Sequence, residues 1–235
     1  MRCLLAALLV LTACRTPGEH AARFESTACA ANKPACLRKI LDVHGGLQRF
    51  RALRYERYTI QDTWRAALAP VLSGHPDGTQ SVVLTLDRRG HASGQLSGSN
   101  LLALPFRLAD DGVVLGDITD DNFHGRPVMA MDVTFEAPNP KDRWTLYFHP
   151  VTMGLIGTTF RGSDLRVPPV DVMFDAWQVV QGLLVPQQLT FDLRLGHIFL
   201  HQARIERAEL FVLPPADWPA APPDADRSGG TWSPF

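Results

Sequence analysis

The sequence predicts a mainly β protein with a small α component, built on one antiparallel sheet. From Leu53 onward apolar residues recur with a period of two, and turn residues separate the segments every 8 to 15 positions. Before Leu53 the period is helical, since Leu37, Ile40 and Leu41 fall on one face at i, i+3 and i+4.

Composition argues against two broad classes of protein. The 235 residues are 46% hydrophobic and 20% charged, which argues against a wholly disordered chain. Asp and Glu number 24 against 23 Lys and Arg, so the net charge is -1. No basic excess is available to attract nucleic acid or an anionic membrane surface.

The N-terminus predicts export and a lipid anchor. Residues 1–13 carry one positive charge followed by an apolar run that is too short to span a bilayer, as in a secretory signal peptide. The run ends in Leu11-Thr12-Ala13-Cys14, which looks like a bacterial lipobox, so Cys14 is expected to receive a diacylglycerol and become the mature N-terminus. The alternatives are a plain signal peptide cleaved elsewhere and an apolar start that arises by chance. In enteric lipoproteins, which this N-terminus resembles, Asp directly after the lipidated Cys favours retention in the inner membrane. Arg15 occupies that position here, so we expect anchoring in the outer membrane, facing the periplasm.

The remaining cysteines predict one disulfide. Once Cys3 leaves with the signal and Cys14 carries lipid, Cys29 and Cys36 remain in an exported chain, where such pairs are normally oxidised. No His or further Cys lies between them, which argues against a metal site there. The short loop limits the stabilisation to about 3 kcal/mol or less.

The elements follow in order along the chain. Residues 14–28 are expected to form a tether, 29–213 one folded domain and 214–235 a Pro-rich extended tail. Asn32 is expected to cap a helix at 34–44 that ends at Gly45-Gly46. The predicted strands are 53–65, 80–88, 91–97, 101–108, 112–116, 127–137, 142–149, 154–161, 169–180, 184–195 and 197–213, with hairpin turns at 149–154 and 181–182.

Catalytic and metal-binding patterns are weak. There is no G-x-S-x-G elbow around Ser97, and His44-Gly45-Gly46 is better explained as a helix end than as an oxyanion loop. On a strand, His197 and His201 would lie about 13 Å apart and could not share an ion. The acidic residues Asp110, Asp111, Asp117, Asp120 and Asp121 lack the spacing of a calcium loop and are expected to form a solvated turn. No phosphate loop or dinucleotide motif occurs. We therefore expect no enzyme, no cofactor and no metal.

Apolar strand faces are the remaining candidate site. An open sheet that curls can enclose a cavity, and its inward residues then form a core or line a pocket for an apolar ligand. The candidates for this face are Leu84, Leu86, Met129, Met131, Val133, Phe135, Trp144, Leu146, Phe148, Val172, Phe174, Leu189, Phe191 and Leu193. Taken one at a time, most of these residues would be ordinary core.

The order of these features resembles the outer-membrane lipoprotein-sorting (LolA/LolB-like) superfamily. A lipobox and a leading helix that ends in His44-Gly45-Gly46 precede two hairpin motifs, at 146–157 and 182–186. His149 and Gln181 each stand where the superfamily's turns carry Asp. The resemblance implies a strongly curved sheet that forms an unclosed β-barrel, with the N-terminal helix as a lid over an apolar cavity.

Two function classes follow. The first is a lipoprotein of the cell envelope, attached to the membrane through its N-terminal lipid, that binds a lipid or lipoprotein acyl chain without catalysis and does not bind nucleic acid. The alternative is a structural or assembly lipoprotein with a filled core that binds an envelope protein partner. An envelope hydrolase that uses His44 or Ser97 ranks below both.

Overall fold

The computed structural model describes residues 25–64, 79–87, 101–135, 142–162 and 168–218. Within these ranges the helices are α1 (25–31), α2 (Lys33–Val43), α3 (Leu47–Ala52) and α4 (Leu104–Arg107). The strands are β1 (Tyr55–Trp64), β2 (Thr79–Asp87), β3 (Val113–Phe123), β4 (Arg126–Phe135), β5 (Arg143–Phe148), β6 (Leu155–Arg161), β7 (Val170–Val180), β8 (Leu183–Leu193) and β9 (Ile198–Phe211). None of the described helices is long and apolar enough to cross a membrane.

The strands form one antiparallel sheet whose two ends do not pair. Its order is β2-β1-β9-β8-β7-β6-β5-β4-β3, so consecutive strands from β3 to β9 pair with one another. Strand β1 inserts between β9 and β2, which leaves β2 and β3 as the two edges. The predicted mainly β, unclosed sheet is confirmed.

Burial shows that this sheet curls. Leu84 on β2 and Met131 on β4 belong to one hydrophobic core, although their strands stand seven places apart. In a flat sheet, at about 4.8 Å per strand, they would lie roughly 34 Å apart. We call the side that carries this core the inner face and the opposite side the outer face.

Three segments cover the inner face: α2, α3 and residues 101–108, which together we call the cover. Ile40, Leu41 and Phe50 of the two helices join the same core as the inward side chains of the strands. Leu104 and Phe106 join it from the third segment, and the Phe106 ring stacks on that of Phe50 at 4.2 Å between centroids.

The strand predicted at 101–108 is wrong, because this segment is helical. Residues 101–106 are all buried, so they lack the alternation of a strand that has one wet face. Pro105 has no N–H for a ladder but fits the first turn of α4. A continuous apolar run of this length is ambiguous between strand and helix, and here tertiary burial decides.

Strand β3 is longer than predicted and changes the interpretation of the acidic residues. Only Asp110 and Asp111 lie in a turn, whereas Asp117, Asp120 and Asp121 lie on β3 with exposed side chains. An edge strand that carries charges resists pairing with another chain, which explains acidic residues in a strand position.

The N-terminal elements and the tight turns follow the sequence closely. The Asn32 side chain accepts a hydrogen bond from the Ala35 N–H, and Cys29 and Cys36 are joined by a disulfide. Gln181 and Gly182 both have positive φ, as a two-residue hairpin turn requires. Helix α1 already begins at residue 25, inside the segment expected to be a tether. The signal segment, Cys14, the strand predicted at 91–97, Ser97 and residues 219–235 lie outside the described residues.

Gly45 provides a test of how the cover joins the sheet. It has φ of 110°, and a Cβ there would lie 2.3 Å from the Gly182 carbonyl oxygen. Gly46 has φ of 93° but no atom within 4 Å of a built Cβ, so it is a matched control. Gly46→Ala should lower the free energy of unfolding by about 1 to 3 kcal/mol through backbone strain alone. Gly45→Ala should lower it by about 1 to 3 kcal/mol more, because the added Cβ also clashes. Urea unfolding measures both, and equal losses would contradict the contact.

Candidate ligand-binding face and its cover

All fourteen residues predicted to line an apolar face lie on the inner face. Thirteen are buried members of the single large core, and Leu193 packs against it half-buried. Cross-strand register aligns them: Met131 pairs with Leu146, Val172 with Phe191 and Phe174 with Leu189. The alternation read from the sequence therefore selected inward residues of β2, β4, β5, β7 and β8, and residues of β1, β6 and β9 complete the same core.

This surface is filled in the structure. Seven of the fourteen side chains have 0% exposure: Met129, Met131, Leu146, Phe148, Val172, Leu189 and Phe191. Side chains with no accessible surface are in contact with protein atoms on every side, so the cover packs directly against the strands. An acyl chain could reach this face only by taking the place of the cover.

The corner between α2 and α3 joins the cover to the sheet through His44. Its backbone carbonyl accepts from the Leu184 N–H at 2.9 Å, at the start of β8. Its ring Nε2 accepts from the Leu155 N–H at 3.2 Å, at the start of β6, so Nδ1 must carry the proton that it shares with the Ile40 carbonyl at 2.7 Å. The fully buried ring is therefore neutral, and burial lowers the pKa of His44.

Several other polar contacts of the cover are with backbone carbonyls near its rim. Arg49 donates to the carbonyls of Gly45 and Gly182, both at 3.0 Å. Lys33 donates to the Leu115 carbonyl on β3 at 3.1 Å. Contacts of this exposed or half-exposed kind contribute little each, so the apolar packing and the His44 corner hold the cover.

A crevice opens where the cover meets β1 and β8. Its cavity volume is about 10 Å³, room for about one water molecule. It is lined by Phe50, Leu53, Glu56, Tyr58, Leu102, Phe106, Leu183, Leu184, Val185 and Leu210. The lining is almost wholly apolar, and none of these residues was among the fourteen candidates.

Sequence reasoning also missed two buried polar pairs on the inner face. His201 and Asp62 lie 2.8 Å apart, and the Trp64 indole N–H donates to the same carboxylate at 2.9 Å. The Tyr58 hydroxyl donates to Glu56 at 2.8 Å. The contact between His201 and Asp62 crosses from β9 to β1, and only the strand register reveals it.

Trp144 is the one residue of the predicted face that has an unpaired hydrogen-bond donor. It is 3% exposed, and its indole N–H has no hydrogen-bond partner among the described residues. A buried donor left unpaired costs about 1 to 3 kcal/mol. An oxygen of a bound molecule would remove that cost.

The structure bears on two interpretations made from the sequence: His44 as a catalytic residue, and His197 with His201 as a metal-binding pair. His44 has both ring nitrogens engaged and no accessible surface, so it is not poised as a general base. His197 is exposed in the turn before β9 whereas His201 is buried on the inner face, so the two are separated as expected.

Comparison with known proteins returns distant structural likeness only. No protein-family model matches the chain, and no curated protein matches it in sequence. A domain from Vibrio parahaemolyticus described as an outer membrane lipoprotein-sorting protein is similar at 7% identity, with a TM-score of 0.43 over 72% of this chain and 91% of that one. A LolA superfamily protein from Nitrosomonas europaea is similar at 9% identity, with a TM-score of 0.45 over 74% and 93%. A DUF1329 family protein from Desulfovibrio piger is similar at 8% identity, with a TM-score of 0.44 over 83% of this chain and 94% of that one.

The first two neighbours carry the names of the group that the sequence motifs resemble. Because the identities and TM-scores are low, the function proposed below is derived from the chain's own residues.

The neutral state of His44 predicts a pH-dependent stability. Its pKa is lowered in the folded protein, so on acidification the unfolded chain takes up the proton first. The His44 contribution should be complete above about pH 7 and decline as pH falls through the unfolded-state value near 6.5, by at most about 1.4 kcal/mol per pH unit. Unfolding free energies of wild type and His44→Gln should therefore converge between pH 7.5 and 5. A constant difference would contradict the assignment.

Proposed function

We propose that this chain is a lipid-anchored protein of the bacterial cell envelope that binds an acyl chain of a lipid or lipoprotein on its inner face, without catalysis. The single observation that carries the proposal is the continuous apolar inner face closed by a separable cover. A second sheet would have sealed this face permanently. Two short helices and one helical segment, held by apolar packing, the His44 corner and a few contacts at the rim, are easier to displace.

The physical chemistry of exchange favours a long acyl chain as the ligand. Each methylene buried contributes about 0.8 kcal/mol, so a 16-carbon chain gains on the order of 10 kcal/mol before ordering costs. Displacing the cover re-exposes side chains such as Ile40 and Leu41, at about 1.5 to 3 kcal/mol each. The two terms are comparable, so the ligand competes with the cover for the same surface.

Two features suggest where the chain enters and how it is oriented. The apolar crevice between the cover and β8 is the natural point at which a methylene chain begins to separate them. The unpaired Trp144 indole N–H, deep on the same face, would donate to an ester or carboxyl oxygen. Anchoring through Cys14 and a periplasm-facing location at the outer membrane belong to the same proposal and rest on the lipobox alone.

The filled interior favours one alternative, an assembly lipoprotein whose core is permanently solid. Its partner would be an envelope protein that pairs with an edge strand. Val83 on β2 and Val114 on β3 are exposed apolar side chains at the two edges, 59% and 54% accessible. Under this alternative the cover never leaves the sheet, and no acyl chain binds.

Binding of a fluorescent fatty acid distinguishes the two functions. The full chain with Cys14→Ser is the right background, since it carries no lipid of its own and any acyl chain found by mass spectrometry is ligand. Leu41→Ala removes cover packing worth about 2 to 4 kcal/mol, which should raise the apparent affinity more than 10-fold by populating the open state. Val128→Ala, a truncation of the separate outer-face cluster, is the matched control and should leave affinity unchanged.

Three outcomes are decisive. Affinity raised by Leu41→Ala alone supports a displaceable cover. Equal increases in both variants would mean that the probe binds partly unfolded protein. No probe bound by any variant, with no acyl chain in the purified protein, overturns the proposal in favour of the assembly function.

A further inference from the structure

Two histidines and an aspartate from three separate segments meet on the outer face. His124 lies in the turn between β3 and β4, Asp171 on β7, and His197 in the turn before β9. One side-chain nitrogen or oxygen from each lies within 4.8 Å of the others. The His124 Nε2 and the Asp171 Oδ2 atoms are 3.2 Å apart.

The tip of the β3–β4 hairpin reaches this place by lying across the outer face. The Phe123 ring stacks on Tyr147 of β5 at 4.2 Å between centroids. It also covers Gly157 of β6, where a Cβ would lie 2.3 Å from a Phe123 ring carbon. Gly157 thus leaves the space that lets the tip, and His124 with it, extend as far as β7.

Asp192 supplies the independent observation that points to a ligand. It stands directly opposite Asp171 in the β7–β8 register and is 8% exposed, yet its Oδ1 has no hydrogen-bond partner among the described residues. Burial raises the pKa of its carboxyl, while the charges of nearby His124 and His197 act in the opposite direction. A buried acceptor without a partner, beside two imidazoles and a second carboxylate, is a place where a cation would be stabilised.

The surrounding polar groups hold Asp171 in a ligating orientation. Thr159 donates to its Oδ1 at 2.6 Å, and Arg194 donates in turn to the Thr159 hydroxyl at 2.7 Å and to the Tyr147 hydroxyl at 2.8 Å. Oδ1 is thereby engaged while Oδ2 faces His124. Hydrogen bonds of this kind, made to a ligand by side chains that do not touch the ion, orient the ligands of metal sites.

We propose that His124, Asp171 and His197, with Asp192 as the fourth group, bind one divalent transition-metal ion of the zinc type. Ligand atoms of a tetrahedral zinc site stand about 3.3 Å apart, given bond lengths of about 2.0 to 2.1 Å. His124 and Asp171 already have that separation, and His197 is an exposed turn residue that needs only a small closing movement. Two imidazoles with carboxylates suit zinc, copper or nickel and not calcium or magnesium, which prefer all-oxygen sites.

The ion would tie together two parts of the sheet that are distant in sequence and in strand order. His124 belongs to the hairpin at the β3 edge, and His197 joins β8 to β9 on the far side of β7. A metal bridge between them would hold the hairpin tip against the outer face. Without a metal, the described contacts are the 3.2 Å contact between His124 and Asp171 and an edge contact between the His124 and His197 rings, at 4.9 Å between centroids.

Calorimetric titration of the full chain, purified in detergent without a histidine tag, tests the site with ZnCl₂. One Zn²⁺ per chain should bind, and His124→Ala and His197→Ala should each weaken binding by more than about 100-fold. Asp192→Asn keeps the side-chain shape and should weaken binding by about 10-fold or more. His149→Asn is the control: it removes an exposed imidazole whose Nδ1 accepts from the Val151 and Thr152 N–H groups, bonds that Asn can replace, and should leave affinity within about 2-fold.

Thermal unfolding with and without Zn²⁺ gives a second readout. Zn²⁺ should raise the Tm of wild type and His149→Asn but not of His197→Ala, which lies in an exposed turn and is expected to fold. Absence of one-to-one binding, unchanged affinity in His197→Ala, or equal competition by Mg²⁺ would each overturn the proposal.

Discussion

An antiparallel sheet of nine strands that does not close needs elements outside the sheet to bury its inner face. The rest of this structure depends on that constraint. Strands β2 and β3 remain unpaired with each other, so burial of the inner side chains falls to α2, α3 and residues 101–108. The His44 corner is where this cover meets the sheet, because one residue contacts the starts of both β6 and β8. The absence of a side chain at Gly45 allows its backbone to approach the Gly182 carbonyl, and the absence of one at Gly182 leaves room for the Arg49 guanidinium.

The same constraint connects folding to function. A face that must be covered by separable helices is also a face that a ligand of similar chemistry can occupy, since burial of apolar surface does not distinguish a leucine side chain from an acyl chain. In the proposed function, the closed structure is the state in which the protein's own side chains occupy the ligand's place. The outer face is different, because polar groups surround Asp171 there and Asp192 stands opposite it. The metal site proposed for that face would depend on charge and geometry and not on apolar area.

Local patterns predicted much of this from the sequence, and the remainder depended on tertiary contacts. Period-two alternation predicted most strands and put all fourteen candidates on one face, and capping and glycine signals placed α2 correctly. The pattern failed at residues 101–108, where a continuously apolar run carries no periodicity to separate helix from strand. It also failed to bring His124, Asp171 and His197 together, because the crossing of the β3–β4 tip over the outer face has no local signature.

Native-state hydrogen exchange tests the central claim, that the cover opens without unfolding of the sheet. Amides of α2 should exchange through a partial opening whose free energy lies several kcal/mol below that of the β5 and β6 amides. The free energy of this partial opening should be insensitive to low concentrations of denaturant because little surface is exposed, whereas that of the β5 and β6 amides should fall. Exchange of α2 with the same free energy and denaturant dependence as β5 would show that cover and sheet unfold together, and would contradict a displaceable cover.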